Sequence, residues 1–466
     1  MTGAFTPLSM LLAAGRPAAH VVAIHGGRAR SWAEFTGRVA GLARLLEGPP
    51  SARWALSADD AWAFAVGLLG IWHAGGIAVI PPNRQPGTLK EVAADVRGIV
   101  TDRPDAVVGV DVVPALVDGP ASPPPWRALE PEMPRLELST SGTSGARRIV
   151  VKTVAHLDRE TATHEAGWGG LIGHASAVAT VSPQHIYGLL FRIAWPLSSG
   201  RVFLSETPLH PAEVGAAVSA AGTAYLVSTP AHLRRLARSP LAWPRLAGRC
   251  RLIFSSGGPL DPEAARALAR GVGTAPVEVF GSTETGGVAW RRQGDAHDAA
   301  WTPFREVRVA VTGPEHCLQV SSPWVTGPGG PFTMGDRAVL AGDGRFVLGP
   351  RADRIVKIGE KRLALPEMEA RLHEHPFVDA AVLVLLDHRG ESRLAAAVVL
   401  TGEGAAVLHR DGRRGLGTTL RRWLEPHWDR VLVPRVWRFV DRLPEDAQGK
   451  TSVAALQTLF RSPVGR

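Results

Sequence analysis

The chain has 466 residues, 45% of them hydrophobic, enough to bury more than one sizeable core and to form two or more domains. Its net charge of +9 comes from 47 Arg and only five Lys, with no dense basic tail interleaved with aromatics, so an acidic partner is admitted but no nucleic acid is expected. Two cysteines, Cys250 and Cys317, are too few for a disulfide scaffold or a zinc site, and a reducing, cytoplasmic location is expected.

In chain order, the apolar run at 8–14 is short and has no basic region before it, so no targeting segment is read there. Ser31 precedes an amphipathic helix, with Glu34 as its capping-box partner and Gly48 as its stop. A strand follows at 53–57. The stretch 61–82, AWAFAVGLLGIWHAGGIAVIPP, is nearly long enough to span a membrane. His73 and the pair Gly75-Gly76 interrupt it, and a helix, a tight turn and a buried strand describe it better. No membrane span is expected. Short strands are predicted at 98–100 and 106–110, and the Pro-rich segment 120–134 reads as a surface connection.

That connection leads to LSTSGTSGARRIVVK at 138–152. The seven residues from Ser139 to Gly145 are all Ser, Thr or Gly, and Arg147, Arg148 and Lys152 follow. Glycines let backbone N–H groups approach a ligand, hydroxyls add donors, and the cations would neutralise phosphate. The alternative is a flexible Gly/Ser linker, but an apolar entry and a cationic, β-branched exit do not resemble linker grammar. Neither GxxxxGK[ST] nor GxGxxG fits the loop.

Strands and helices then alternate. Strands are predicted at 178–182, 202–205, 224–228, 252–255 and 277–280, and helices at 189–200, 211–221, 230–236 and 261–270. Such alternation argues a mostly parallel sheet covered on both faces, with ligands at the carboxyl ends of its strands. Three polar glycine turns follow strands, at 139–145, 256–258 and 281–287, and are expected to meet at one site. Shorter strands at 304–312 and 317–321 belong to a more antiparallel region, with Gly335-Asp336 in a loop and Gly342-Asp343-Gly344 as a hairpin turn. Residues 349–353 break the chain. A strand at 354–358, a helix from Pro366, strands at 380–386 and 394–400, and a helix at 416–424 make a final α+β unit. His373 and His375 lie two apart and do not face one another on a helix, so no metal is placed there.

On these motifs the chain resembles the adenylate-forming superfamily: acyl- and aryl-CoA ligases, peptide-synthetase adenylation domains and luciferases. STSGTSGARR, VFGSTETGG at 279–287, GD at 335–336, PRADRIVKIGEKRLALPEME at 350–369 and LPEDAQGK at 443–450 carry the resemblance, in the family's order and over nearly the whole chain. Residues 65–82 and SPQHIYGLL at 182–190 are weaker members. It implies an α/β N-terminal adenylation domain, residues 1–352, of mostly parallel sheets covered by helices with a small β-region. A small, mobile α+β C-terminal domain, residues 353–466, would turn about a hinge at Asp353 and carry the catalytic lysine.

The resemblance also implies roles. Thr140, Ser141, Gly142, Thr143, Ser144 and Gly145 would cradle the β- and γ-phosphates of ATP. Arg148 stands where the family usually has Lys, and Arg147 where it has Pro; Arg keeps the charge and changes the geometry. Lys152 would assist at the phosphates. Glu284 would bind Mg²⁺, and Thr283 would contact the α-phosphate. Gly257, Gly258, Phe280 and Gly281 would line the nucleotide. Asp336 would take the ribose hydroxyls with Arg351 in support, and His185 would gate the acyl pocket. Lys450, one of five Lys, would bridge carboxylate and α-phosphate during adenylation.

The substrate expected from the resemblance is an aryl acid such as a hydroxybenzoate, as in stand-alone ligases of aryl-polyene and related pigment pathways. The acceptor expected is the phosphopantetheine thiol of a separate acyl carrier protein. From Arg410 to Arg442 nine Arg face four acidic residues, a net of +5 that suits an acidic carrier. The alternatives are a fatty acyl- or aryl-CoA synthetase using free CoA, and a non-catalytic nucleotide-binding protein.

Overall fold

The structure is a computed structural model. It describes the chain except residues 1–4, 105–110, 121–122, 124, 142–146, 294–298, 327–329, 353, 359–360, 389–390, 444–455, 457–458 and 461–466. The strand expected at 106–110 lies outside the described residues. Two compact units emerge. The larger holds Met1–Pro82, Lys90–Ser139 and Ile149–Ala352; the smaller holds Asn83–Leu89, Thr140–Arg148 and Asp353–Arg466.

The larger unit is built on two sheets whose interiors are parallel. In the nine-stranded sheet the order is Thr302–Pro303, Gly286–Arg292, Val277–Ser282, Cys250–Ser255, Ala224–Ser228, Ser176–Ala179, Phe203–Leu204, Val21–His25 and Arg28–Ser31. The six strands from Val277–Ser282 through Val21–His25 are mutually parallel. The six-stranded sheet runs Val112–Pro114, Ile99–Thr101, Arg53–Ser57, Ile77–Ile80, Pro134–Ser141 and Arg147–Thr153. A four-stranded antiparallel sheet, Arg308–Thr312, Cys317–Ser321, Phe332–Leu340 and Phe346–Arg351, completes the unit.

Helix Trp32–Leu45 starts at the capping box Ser31/Glu34, as its sequence requires. Helix Ala61–His73 is capped by Asp60 and buried on every side from Ala61 to Trp72, so it is a core helix between layers. Among the described residues no helix is long and apolar enough to cross a membrane.

Three segments differ from the sequence expectation. Gly335-Asp336 is not in a loop but inside the strand Phe332–Leu340, where Asp336 pairs with Arg351 of the strand Phe346–Arg351 and the register to Cys317–Ser321 shifts. The strand Phe346–Arg351 likewise runs through Gly349 and Pro350. A helix unforeseen in the sequence opens at Gly402 under a Thr401 cap and is broken at Gly412 (φ 68, ψ 174), and the helix predicted at 416–424 starts a few residues earlier, after that break.

One charge organises the interior beside the parallel strands. Arg192 is fully buried in the π-helical segment Leu189–Ala194. Its guanidinium donates to the carbonyls of Val181 (2.7 Å), Ser205 (2.6 Å) and Glu206 (2.9 Å) and to Thr207 Oγ1 (2.8 Å). A fork of five donors can tie that many loop carbonyls at once, where an ammonium could not. Next to it, Phe191 joins a ring cluster with Trp168, Trp195, Phe254 and His164; the His164 and Phe191 centroids are 4.3 Å apart.

The smaller unit packs helices Leu365–His373 and Gly402–Leu424 onto the sheet Val378–His388, Glu391–Leu400 and Val436–Phe439. Its core is Leu363, Met368, Leu372, Val398, Leu416 and Leu420. The 83–89 segment belongs to it: Asn83 Nδ2 donates to the His427 carbonyl at 2.9 Å, and Gly87 N to that of Pro426 at 3.1 Å. Lys361 and Gln85 both meet the Asp429 carboxylate.

His164 gives this fold a measurable acid sensitivity. Its ring is completely buried among aromatics, makes no hydrogen bond among the described residues, and burial pushes its pKa from 6.5 down to about 3. The unfolded chain therefore takes up the proton first, and stability is lost as pH falls below 6.5. The loss reaches about 2 kcal/mol by pH 5. His164→Phe, which fills the same flat slot without a titratable nitrogen, is expected to lose about 2 kcal/mol less than the parent between pH 7 and pH 5 in urea unfolding.

Candidate functional site

The site is built at the carboxyl ends of adjacent parallel strands. Cys250–Ser255 and Val277–Ser282 pair in parallel, Ser255 against Glu278, and turns leave both at the same end. The first turn carries Gly257 and Gly258, both partly exposed. Its base is stiffened by Glu278, whose buried carboxylate accepts from Leu260 N (2.9 Å), Arg291 Nε (2.8 Å) and Gln293 Nε2 (2.5 Å). A buried carboxylate fully supplied with donors makes a rigid anchor for the turn above it.

The second turn is tighter than expected. Val277–Ser282 does not stop at Phe280. It continues to Ser282 and folds back as Gly286–Arg292, with Gly281 opposite Gly287 and Ser282 opposite Gly286. Thr283, Glu284 and Thr285 form the tip. Gly281 is required here, because a Cβ would stand 2.1 Å from the Gly286 carbonyl oxygen. Inside the tip, Thr285 Oγ1 accepts from Ser282 N at 3.0 Å and Thr285 N donates to Ser282 Oγ at 3.2 Å.

Phe280, half-buried, links this hairpin to the four-stranded sheet. Its ring centroid lies 5.5 Å from Trp301 and 6.1 Å from Phe346. Phe346 begins the strand that ends at Arg351, and Arg351 Nη1 meets Asp336 Oδ2 at 2.5 Å across the ladder. Asp336 and Arg351 thus face each other in register, both partly exposed. Ala352 N closes the end of the pair by donating to the Gly335 carbonyl at 2.7 Å.

The remaining expected residues are placed as follows. Thr140 and Ser141 end the strand Pro134–Ser141 and Arg148 lies in Arg147–Thr153, each described in backbone only. Gly142, Thr143, Ser144 and Gly145 lie outside the described residues, as do Asp353 and Lys450. His185 is exposed and precedes the short helix Ile186–Gly188.

Lys152 is turned into the interior. It is 1% exposed, and its Nζ donates to the backbone carbonyls of Trp324 at 2.7 Å and Glu284 at 3.1 Å. Strand alternation is the reason: Ile149 and Val151 face outward, Val150 and Lys152 inward. Burial lowers the ammonium pKa to about 8, opposed by Glu160 and Glu284. Sequence reasoning missed its partner Glu160, which is buried on helix Val154–His164. Glu160 Oε1 accepts from Gly287 N at 2.6 Å, and burial raises the carboxyl to about 7.

Chemically, this half of the site offers an aromatic face, a carboxylate–guanidinium pair and a buried acidic tip. Among the described residues no cluster of three or more His, Cys, Asp or Glu could hold a metal. A divalent ion at Glu284 would therefore take its other ligands from phosphate oxygens and water, which is how Mg²⁺ is commonly held.

The comparisons agree with this architecture. The model for AMP-binding enzymes matches residues 12–328, and that for their C-terminal domain matches 367–450. A 4-coumarate–CoA ligase of Rhodobacter capsulatus is 30% identical over 67% of this chain and 73% of its own length. A sulfoacetate–CoA ligase of Cupriavidus necator is 26% identical over 89% of this chain and 81% of its own. The solved amide bond synthetase of Marinactinospora thermotolerans superposes with a TM-score of 0.82 over 97% of this chain and 99% of its own, at 20% identity, a likeness of fold. The chain belongs to the AMP-binding enzymes, the adenylate-forming superfamily of acid–thiol ligases.

Proposed function

We propose that the chain activates an aryl acid of hydroxybenzoate type with ATP and passes the acyl group to the phosphopantetheine thiol of an acyl carrier protein. The observation that carries the adenylation step is the pairing of Asp336 with Arg351 on the strand that begins at Phe346, which Phe280 of the Glu284 hairpin contacts. A carboxylate held by a guanidinium can accept the two ribose hydroxyls, and Phe280 offers a face to adenine.

In the first half-reaction a substrate carboxylate oxygen attacks the α-phosphorus, and the bond to the pyrophosphate oxygen breaks. In this reading the loop 140–145 and Arg148 bind the β- and γ-phosphates, Thr283 contacts the α-phosphate, and Lys450 offsets the charge that develops between carboxylate and phosphorus. Mg²⁺, held by Glu284 and phosphate oxygens, would supply charge neutralisation at the triphosphate. In the second half-reaction the thiol sulfur, having given up its proton, attacks the acyl carbon and AMP leaves with the bond electrons. Lys450 withdraws before that step as the C-terminal domain turns at Asp353.

The aryl acid is supported by a relative named for an aromatic acid, the 4-coumarate–CoA ligase of Rhodobacter capsulatus. The carrier is supported by exposed Arg413 and Arg414 within the +5 stretch from Arg410 to Arg442. Free CoA is the second reading, favoured by the CoA ligases among the relatives.

Two experiments test these steps. Lys450→Ala is expected to lose pyrophosphate exchange about 100-fold or more while still transferring a supplied acyl-adenylate to thiol; equal loss of both half-reactions refutes the role. Exchange over a panel of benzoates and fatty acids, followed by transfer to CoA and to a carrier protein, is expected to favour a benzoate and the carrier. Arg413→Glu/Arg414→Glu should then raise the KM for carrier about tenfold through slower encounter, leaving exchange unchanged.

A further inference from the structure

The Glu284 hairpin is gripped from beneath along its backbone. The Glu284 carbonyl accepts from Lys152 Nζ (3.1 Å), Thr326 N (3.2 Å) and Thr326 Oγ1 (3.3 Å). The Gly287 N–H donates to Glu160 Oε1 (2.6 Å), and the Gly287 carbonyl accepts from Trp324 Nε1 (3.0 Å). Lys152 Nζ closes the brace through the Trp324 carbonyl (2.7 Å). One ammonium therefore holds both the hairpin tip and the residue that holds the hairpin's return strand.

The space is shaped for this arrangement. Gly286 has φ +61, and a Cβ there would stand 2.5 Å from Glu160 Oε2 and 2.6 Å from Trp324 Cδ1. A Cβ on Gly287 would stand 3.1 Å from Glu160 Oε1 and 2.9 Å from Phe304 Cε2. Two carbonyls converging on one buried point suit a compact ammonium better than a planar guanidinium. That accounts for Lys at this position in a chain with 47 Arg and five Lys.

The brace also joins two motifs that chemistry must keep in register. Lys152 sits on Arg147–Thr153, the strand that leaves the Ser/Thr/Gly loop, four residues after Arg148. Its other end is the backbone of Glu284. We propose that Lys152, with Glu160 and Trp324, is a positioning group for adenylation: it fixes the Glu284 tip at a set distance from the strand that carries the phosphate loop. This inference rests on the reading of Glu284 as the residue facing the metal-bound triphosphate.

Removing the ammonium leaves a tolerable interior. Glu160, already raised to about 7 by burial, takes up a proton when Lys152 is lost and still has an oxygen for the Gly287 N–H. Lys152→Met keeps the apolar stem and deletes only the donors.

The test is steady-state pyrophosphate exchange and single-turnover thiol transfer on Lys152→Met and Trp324→Phe, with circular dichroism as the check on folding. Lys152→Met is expected to lower kcat for exchange about 10- to 100-fold, as loss of an outer support commonly does. The Mg²⁺ concentration at half-maximal rate should rise, the KM for the acid should stay within about twofold, and transfer from a supplied acyl-adenylate should be unaltered. Trp324→Phe, which keeps the carbonyl and loses the indole donor, should give the same pattern at about three- to tenfold, and it carries the test if Lys152→Met does not fold. Folded variants with exchange within about twofold of the parent, or with both half-reactions lowered alike, overturn the proposal. A Glu284→Gln variant that exchanges pyrophosphate with the parent's rate and Mg²⁺ dependence overturns instead the reading of the site on which it rests.

Discussion

A cation with no access to water holds the hairpin on which Glu284 stands. Burying an ammonium is costly unless its protons are spent, and Lys152 spends them on two carbonyls that no sheet ladder uses. Glu160 offsets the charge from the adjacent helix and spends one oxygen on the Gly287 amide. The same economy recurs at Arg192, whose fork ties four groups of the loops around 181 and 205–207, and at Glu278 beneath the 256–260 turn. In each case a loop that must keep an unusual path is held by a buried charged side chain rather than by secondary structure. Loops held this way can stay rigid while leaving their outer face to a ligand.

Much of the architecture was legible because its signals are local. Helix Pro211–Ala221 and strand Ala224–Ser228 fall where periodicity and apolar runs put them. The helix–turn–strand at 61–80 follows from one glycine pair interrupting a hydrophobic run. What failed was set by partners distant in sequence. Gly335-Asp336 has loop composition, yet Asp336 pairs with Arg351 and the Gly335 carbonyl accepts from Ala352 N, and the sequence does not show that strand beside it. The helical turns between Gly402 and Gly412 carry no clear sequence signal because glycines at 402, 404 and 412 weaken the local propensity.

The site was legible as motifs and less so as geometry. The resemblance gives Asp336 and Arg351 a shared task at the ribose, and the structure sets the two in register as an ion pair. Lys152 was grouped with the phosphate ligands because it follows them closely. The period of two in IVVK carried the better signal: it puts Lys152 on the face of buried Val150. Glu160 had no such signal, since a helical Glu is ordinarily solvated, and only the glycine pair at 286–287 leaves room for it.

The helices flanking the aromatic cluster both contain π-helical turns, Glu165–Gly169 and Leu189–Ala194. A π turn holds one residue more than the α-helix it interrupts. Removing a single residue from Leu189–Ala194 would restore α-helical winding there and keep the register of the turns on either side, so its cost falls on the packing of Phe191 against Tyr187 and Phe254. In lineages descended from such a fold a one-residue deletion at this point is a tolerated route of change that a scan of point substitutions would never sample.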